Sequence, residues 1–552
     1  MSEILFLKTF NHVIQEMNKK LFPFLNTETL FLIICGVLFL WLRLNHFNIV
    51  LERDEGEYAY AGQEILRGRL PYKDFYNMKF PGTYYFYALI FYCLGNFVSS
   101  IKISLIVLNL CSAFFIYRIA GIWYNNQIGK LSSGIFLIFC SCYSAQGWTA
   151  NAEHFVVFFG MLGIYFSSLF FAKNKFFYIF SAGFFLACAT LCKQQGIFYA
   201  VFPAMQLMFV QKTFAEKNVN YSIFLKTLGI YIFGFLVPVS LMLIYFYEKN
   251  ILNDFYFFTI QYASYYGNQV TPFEEIWHFR PIFWDAFGFW ILFFSMCYNA
   301  IKSKSFLKTH FKVFLFFALS FAATSTGWYY RAHYFQLLFP AVAIMSAFIV
   351  SNIEKIGRIK YINLKSYLVL SFIAILILQM DYIFLNSDEK IINKMFPPEY
   401  FFNEKKQIAD KINEKFGDKN YKIGIIGNEP QIFFYTKKQS ASGFMYIYSL
   451  IEKHKFADSL TIKFIKEIEN SQPEILIYFT DYKISPENPK TVQQITAWYN
   501  QFKQNYFAIG KLDLLADKTQ LTWLTKERST ISTDSASYGI IYLRKDLIKG
   551  NK

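Results

Sequence analysis

Between Leu30 and Leu385 the chain returns again and again to stretches of about twenty residues that are almost free of charge, and this recurrence limits what it can fold into. A helix crossing a bilayer core takes roughly 17–25 apolar residues. Stretches that fit lie at about 30–44, 98–120, 131–148, 153–171, 176–192, 196–211, 224–247, 283–300, 311–327, 334–352 and 365–385, so the sequence predicts eleven spans. The C-terminal part differs in kind. From Leu385 onward there are 25 Lys+Arg and 20 Asp+Glu, against 29 and 18 in the much longer stretch before it. The expectation is a mainly α, polytopic membrane helix bundle over residues 1–385, followed by a small α/β soluble domain over 386–552.

Basic residues set the orientation. Arg118, Lys130, Lys173, Lys175, Lys212, Lys217, Lys226, Lys302, Lys304, Lys308, Lys355, Arg358, Lys360 and Lys365 fall in alternate loops, which the positive-inside rule places in the cytoplasm. The N-terminus is then inside and the C-terminal domain outside, as in a multi-pass protein of the plasma (inner) membrane. Most of the net charge of +16 belongs to the stretch before Leu385, 29 − 18 = +11, where excess Lys marks cytoplasmic loops, and no basic stripe with a recognition element points to nucleic acid. All eight cysteines precede residue 385, without zinc-site spacing, and read as small buried residues. Residues 1–27 read as an interfacial helix leading into an uncleaved first span, with Arg43 snorkelling at its outer end.

Two outer loops are long, at about 46–97 and 248–282. The first contains Thr83–Leu94, too short and Tyr-rich for a span, which reads as a helix lying in the interface. In the tail, Lys422–Ile426, Glu474–Phe479 and Tyr538–Leu543 read as strands, and Phe401–Phe416, Ala457–Glu469 and Val492–Phe502 as helices. Gly424 and Gly427, followed by Asn428 and Glu429, read as a plain strand-to-helix turn rather than a phosphate loop.

The first outer loop carries the densest chemistry. Arg53-Asp54-Glu55-Gly56-Glu57-Tyr58 opens a helix-like segment closed by Gly68. A structural reading makes Asp54 the N-cap. Capping needs one acid, however, and three occur within four positions beside an outside Arg. Farther on, Lys79 precedes Phe80-Pro81-Gly82 and an aromatic segment, where it places a positive charge at the level of a lipid phosphate.

An acidic pair after the first span, a Gly-ended helix, and a Lys and Pro opening an aromatic segment resemble the polyprenyl-phosphate-sugar-dependent glycosyltransferases of the GT-C fold. The resemblance is in particular to the dolichyl-phosphate-mannose-protein mannosyltransferase-like family, which includes the aminoarabinose lipid A transferases. Asn151-Ala152-Glu153-His154 is similar to that family's outward acidic motif. Leu191-Cys192-Lys193 is similar to its Leu-x-Lys turn, and Tyr330-Arg331-Ala332-His333-Tyr334 to its late basic and aromatic segment. The match departs at Phe80, where the family usually has a second Pro. The resemblance implies that Asp54 is the base that deprotonates the acceptor. It also implies that Glu55 and Glu153 orient base or acceptor, and that Lys79, Arg331 and Lys193 hold the phosphate as charge develops. Glu57 falls outside the acidic pair, so Glu57→Gln is expected to be silent.

His333 and His154 beside Glu153 are candidate metal ligands, but lone histidines next to aromatics read better as hydrogen-bonded structural groups; His333 is kept as substrate-binding and no cofactor is expected to be required. The reading is an integral membrane glycosyltransferase of the cell envelope. It moves a hexosyl or pentosyl group from a polyprenyl-phosphate donor to an extracytoplasmic lipid, glycan or protein acceptor. The alternatives are a lipid-linked sugar transporter and an oligosaccharide ligase using a lipid-diphosphate donor.

Overall fold

The computed structural model describes residues 26–214, 221–267, 270–353, 364–378, 387–480, 487–515, 518–523 and 537–549. The expected interfacial helix over 1–27 lies almost wholly outside these residues.

A helix forms at each of the eleven apolar stretches. In chain order, and including two helices of the long loop at about 46–97, they are α1 (Thr27–Asn45), α2 (Arg53–Leu66), α3 (Gly82–Leu94), α4 (Val98–Trp123), α5 (Asn126–Phe139), α6 (Ala152–Lys173) and α7 (Phe176–Cys192). There follow α8 (Ile197–Phe214), α9 (Tyr221–Glu248), α10 (Phe287–Lys302), α11 (Phe311–Thr324), α12 (Phe339–Ser351) and α13 (Leu364–Leu378). Among the described residues, only α1, α4, α6 and α9 are each long and apolar enough to cross a bilayer alone. Ile276–Asp285 together with α10, bent by 115°, make a fifth as a pair. Several expected spans are shortened by turns. The stretch 131–148 stops at Phe139, because the chain then folds back so tightly that a Cβ on Gly147 would lie 2.2 Å from the Cys140 carbonyl oxygen. The stretch 334–352 begins with a tight turn over Ala332–Leu337, and its α-helix starts only at Phe339, with Pro340 in the first turn.

Arg43 does not snorkel outward. It is 5% exposed, donates to the Cys140 carbonyl at 2.9 Å and lies over the rings of Phe39 and Trp148. The Tyr-rich segment is helical, as expected. Tyr84, Tyr87, Ala88 and Phe91 of α3 are buried, while Leu89, Tyr92 and Leu94 are exposed.

The C-terminal domain is built on a five-stranded sheet of β1 (Ile423–Ile426), β2 (Ile475–Phe479), β3 (Tyr506–Leu515), β4 (Lys518–Trp523) and β5 (Ser537–Arg544), in the order β1-β2-β5-β3-β4. Only β1 and β2 run parallel; the other pairs are antiparallel. Its expected strands and helices all form. The helices are α14 (Phe402–Phe416), α16 (Ala457–Ser471) and α17 (Pro489–Phe502), and the sequence reading missed β3, β4 and α15 (Pro430–Thr436).

α15 is the element that matters for the site, because it packs on α2. A Cβ on Gly56 would lie 2.5 Å from Gln431, so the two helices meet with no room for a methyl group. On its other side, α2 meets α3 equally closely at Gly62, whose added Cβ would be 3.0 Å from Tyr87 and Ala88. Residues 55–64 are accordingly buried all round. This short polar helix is a wall shared by the membrane body and the C-terminal domain.

Candidate active site

The site is organised by the first turn of α2. Glu52, not Asp54, is the N-cap: its two carboxylate oxygens each accept at 2.8 Å, from the backbone N–H groups of Asp54 and Glu55. Burial, with the charges of Asp54 and Glu55 behind it, pushes the Glu52 carboxyl up to about 8. Because the cap is filled, the Asp54 side chain is left for other work.

Helical geometry then sorts the acids. Residues three apart share a face, whereas neighbours do not. Asp54 and Glu57 therefore converge on one ammonium: Lys79 Nζ lies 3.1 Å from Asp54 Oδ1 and 2.7 Å from Glu57 Oε2, and 4.5 Å from the centroid of the Tyr58 ring. The loop holding Lys79 is fixed at its backbone. Tyr72 donates to the Lys79 carbonyl at 2.8 Å, and Gln194 to the Met78 carbonyl at 2.8 Å. Glu57 also accepts from the Tyr84 hydroxyl at 2.5 Å and from the Tyr446 hydroxyl at 3.0 Å. Its side chain is fully buried, while that of Asp54 keeps 30% exposure, so Asp54 is the member open to an incoming molecule.

The two acids respond oppositely. Burial pushes both carboxyls up, but beside Asp54 the Lys79 ammonium reverses this and holds it well below the usual carboxylate range. At Glu57 burial prevails over Lys79, with help from the Asp54 charge, and the carboxyl is raised. Glu57 therefore belongs to the cluster from which the sequence reading excluded it.

Glu55 faces away, into a separate buried ion pair. Its Oε1 lies 2.8 Å from Lys102 Nζ and also accepts the Ala150 N–H at 2.8 Å. Lys102 lies inside an apolar span, where a lone charge usually marks a partner. The expected Asp54–Glu55 pair is thus divided between two places.

A second cluster adjoins the first. Glu153, in the first turn of α6, is fully buried; its Oε1 pairs with Lys193 and lies 3.9 Å from His333 Nε2. Its other oxygen, Oε2, has no hydrogen-bond donor among the described residues. Lys193 follows directly after α7 and sits 4.2 Å from the centroid of the Tyr334 ring. His333 Nδ1 is 2.8 Å from Gln146 Oε1, and burial, against the pull of Glu153, lowers its imidazole to about 4, so it is neutral at pH 7. His154 faces Asn109 at 2.9 Å, away from Lys193. No group of three or more His, Cys, Asp or Glu side chains among the described residues is arranged to hold a metal ion.

Arg331 stands apart from both clusters. It is exposed, lies 5.0 Å from the centroid of the Tyr329 ring and hydrogen-bonds Tyr266. Its electrostatic link to the rest runs through Tyr334, whose hydroxyl lies in the field of Glu153, Arg331, Asp54 and Lys79. Of the residues singled out in the sequence, Asp54 and Lys79 form one contact and Glu153, Lys193 and His333 another; Arg331 is at the rim, and Glu55 is elsewhere. Tyr446 comes from the C-terminal domain, and no local pattern announced it. In the tail, Glu429 is fully buried at 2.7 Å from Lys405, so the turn after Gly427 presents an acid, not a phosphate cradle.

Comparison with known proteins identifies the fold. Residues 79–247 match the family model described as dolichyl-phosphate-mannose-protein mannosyltransferase. The fold is similar to that of ArnT from Cupriavidus metallidurans in the apo state, with a TM-score of 0.56 and 12% identity, over 94% of this chain and 98% of that one. It is also similar to ArnT bound to undecaprenyl phosphate, with a TM-score of 0.54 and 12% identity over 82% and 93%. The apo oligosaccharyltransferase of Archaeoglobus fulgidus gives 0.54 and 10% identity over 92% and 75%. No curated protein matches by sequence. The chain is an integral membrane protein of GT-C fold, resembling the dolichyl-phosphate-mannose mannosyltransferase and ArnT group.

Proposed function

We propose that the protein is a membrane glycosyltransferase that moves a single sugar from a polyprenyl-phosphate donor to an acceptor on the outer face of the inner membrane. The observation that carries this reading is the Lys79 ammonium held between Asp54 and Glu57 at the start of a buried loop helix, with Asp54 partly exposed and Glu57 buried. Correspondence over 82% of this chain with the fold of ArnT bound to undecaprenyl phosphate supports it.

In this reading the donor phosphate enters at Lys79, with Lys193 and Arg331 at the flanks. A sugar phosphodiester carries one negative charge. As the bond from the anomeric carbon to the phosphate oxygen breaks, the leaving phosphate gains a second, and fixed cations stabilise that gain. Lys79 now shares its charge with the phosphate and holds Asp54 less strongly. Asp54 becomes a better base and takes the proton of the acceptor O–H or N–H as its oxygen or nitrogen attacks the anomeric carbon, with inversion. The unpaired Glu153 Oε2 is a ready acceptor for a second hydrogen bond from the incoming molecule. The lysines supply the positive charge, so the reading requires no metal or other cofactor. It places the C-terminal domain and active site outside the cytoplasm.

The test is transfer of labelled sugar from a panel of polyprenyl-phosphate monosaccharides by purified protein. Asp54→Asn removes the basic lone pair at nearly constant size, and because Glu52 is the cap, it leaves the helix start intact. Transfer should fall by roughly 10²–10⁴-fold, as expected for a lost general base. Near wild-type transfer by Asp54→Asn would refute the role of Asp54, and no transfer by the wild type from any donor would refute the reading.

A further inference from the structure

The C-terminal domain does more than pack on the membrane body. After Gly443, whose carbonyl accepts the Tyr76 N–H at 2.7 Å, its chain carries Tyr446 to the Asp54–Lys79–Glu57 cluster. The Tyr446 hydroxyl lies 3.0 Å from Glu57 Oε2, 3.3 Å from Asp54 Oδ1 and 3.0 Å from the Arg53 carbonyl. One phenol proton thus faces three acceptors, two of them carboxylates of the site. The ring is held independently of that hydroxyl, stacked against Tyr448 with centroids 5.6 Å apart. Its neighbourhood is fixed by Asn428, which accepts the Ile447 N–H at 3.0 Å.

Resting on the function proposed above, we infer that Tyr446 is a positioning residue of the active site, so that the C-terminal domain supplies part of the site. The argument is one of counting donors. Glu57 is buried and faces Asp54 and Tyr58 from its own helix, Lys79 and Tyr72 from the loop, Tyr84 from α3 and Tyr446 from the C-terminal domain. Its oxygens receive hydrogen bonds from Lys79, Tyr84 and Tyr446. When the donor phosphate draws on Lys79, only the two phenols remain to hold Glu57 ionised, and Tyr446 is the one that also reaches Asp54. Hydrogen bonds to the charged form favour that form. Removing the Tyr446 hydroxyl therefore shifts Glu57 toward its neutral form and loosens the geometry of Asp54.

Tyr446→Phe keeps the ring and its stacking and deletes only the hydroxyl. The control is Tyr60→Phe, which removes a docking hydrogen bond, from the Ser440 N–H at 2.8 Å, on the same face of the domain but away from Lys79. The full-length protein is assayed for sugar transfer across pH. Binding of undecaprenyl phosphate across pH is measured in parallel because it needs no turnover. Tyr446→Phe should lose about 10- to 100-fold in kcat, the scale of one hydrogen bond to a charged group. The acid limb of its pH profile should move to higher pH, and Tyr60→Phe should match wild type. A Tyr446→Phe enzyme with wild-type kcat and pH profile, or a Tyr60→Phe enzyme with the same loss, would overturn the inference and leave the proposed function standing. If the wild type transfers nothing yet binds undecaprenyl phosphate, a shifted pH dependence of binding in Tyr446→Phe supports the positioning role on its own. Failure of the wild type both to transfer and to bind removes both.

Discussion

Glu57→Gln removes one of the two carboxylates that hold the Lys79 ammonium. The sequence places Glu57 outside the acidic pair and expects silence; the structure puts its fully buried carboxylate 2.7 Å from the Lys79 ammonium. At an effective dielectric of about 20, that separation corresponds to a gross attraction of about 6 kcal/mol. Relief from burying the charge offsets much of it, and breaking one side of such a pair typically costs about 3–5 kcal/mol. The amide can turn its oxygen toward Lys79 and Tyr446 and its NH2 toward Tyr84, whose hydroxyl can accept, so the cost should fall near the lower end of that range. The charge of the three-residue cluster changes from −1 to zero. Two consequences oppose each other. Undecaprenyl phosphate should bind several-fold more tightly, because less negative charge surrounds Lys79. Turnover should fall about 10- to 100-fold, because Lys79 now leans wholly on Asp54 and makes it a weaker base. The assay is a Kd for undecaprenyl phosphate together with kcat for transfer at equal folded protein. Unchanged kcat, or weaker phosphate binding in a protein of wild-type Tm, would refute the reasoning.

Two further predictions follow from the flanks of the same helix. Lys102→Met leaves Glu55 buried without its cation and should lower stability by about 3–5 kcal/mol, whereas the double variant with Glu55→Gln should recover much of it. Turnover per folded molecule should hardly change, and a wild-type Tm for Lys102→Met would contradict the assignment of this pair as structural. Glu52 is raised from 4.5 to about 8, so the folded state holds its proton more tightly than the unfolded state. Its contribution to stability is fully present below about pH 4.5 and is lost as pH rises through about 8. Tm should therefore fall between pH 5 and 8.5 more steeply in wild type than in Glu52→Gln; parallel slopes would show that Glu52 titrates normally.

The helices of the body were readable because lipid-facing segments must be long, apolar and internally hydrogen-bonded, a constraint that acts on each segment separately. Their ends were less readable, since the turn at Cys140–Gly147 and the late start of α12 depend on backbone packing rather than on hydropathy. In the site, Asp54 was legible because three acids in four positions exceed what one cap needs, and Lys79 as a lone charge before an aromatic segment. The division of Glu55 from Glu57 was legible in principle, because a spacing of three shares a helical face and a spacing of one does not. The cap at Glu52 hid in plain view beside three other acids. Tyr446 and α15 were not legible at all. They reach the site only through the docking of one domain on another, and a single tyrosine among forty carries no local mark of that.

The hydrogen bond between Tyr446 and Glu57 joins residues 389 positions apart, and this separation has a bearing on how the protein is made. At about 5–20 residues per second of synthesis, roughly 20–80 s pass between the emergence of Glu57 from the ribosome and that of Tyr446. Throughout that interval the acids of α2 and Lys79 are already made, but the wall that closes over them is not. Gly56 waits for Gln431 in the same way. A chain interrupted before residue 446 would hold a bilayer full of correctly inserted helices around an unfinished centre. Completion of the polypeptide thus becomes a condition for a finished site, and truncated products left in the membrane should lack it.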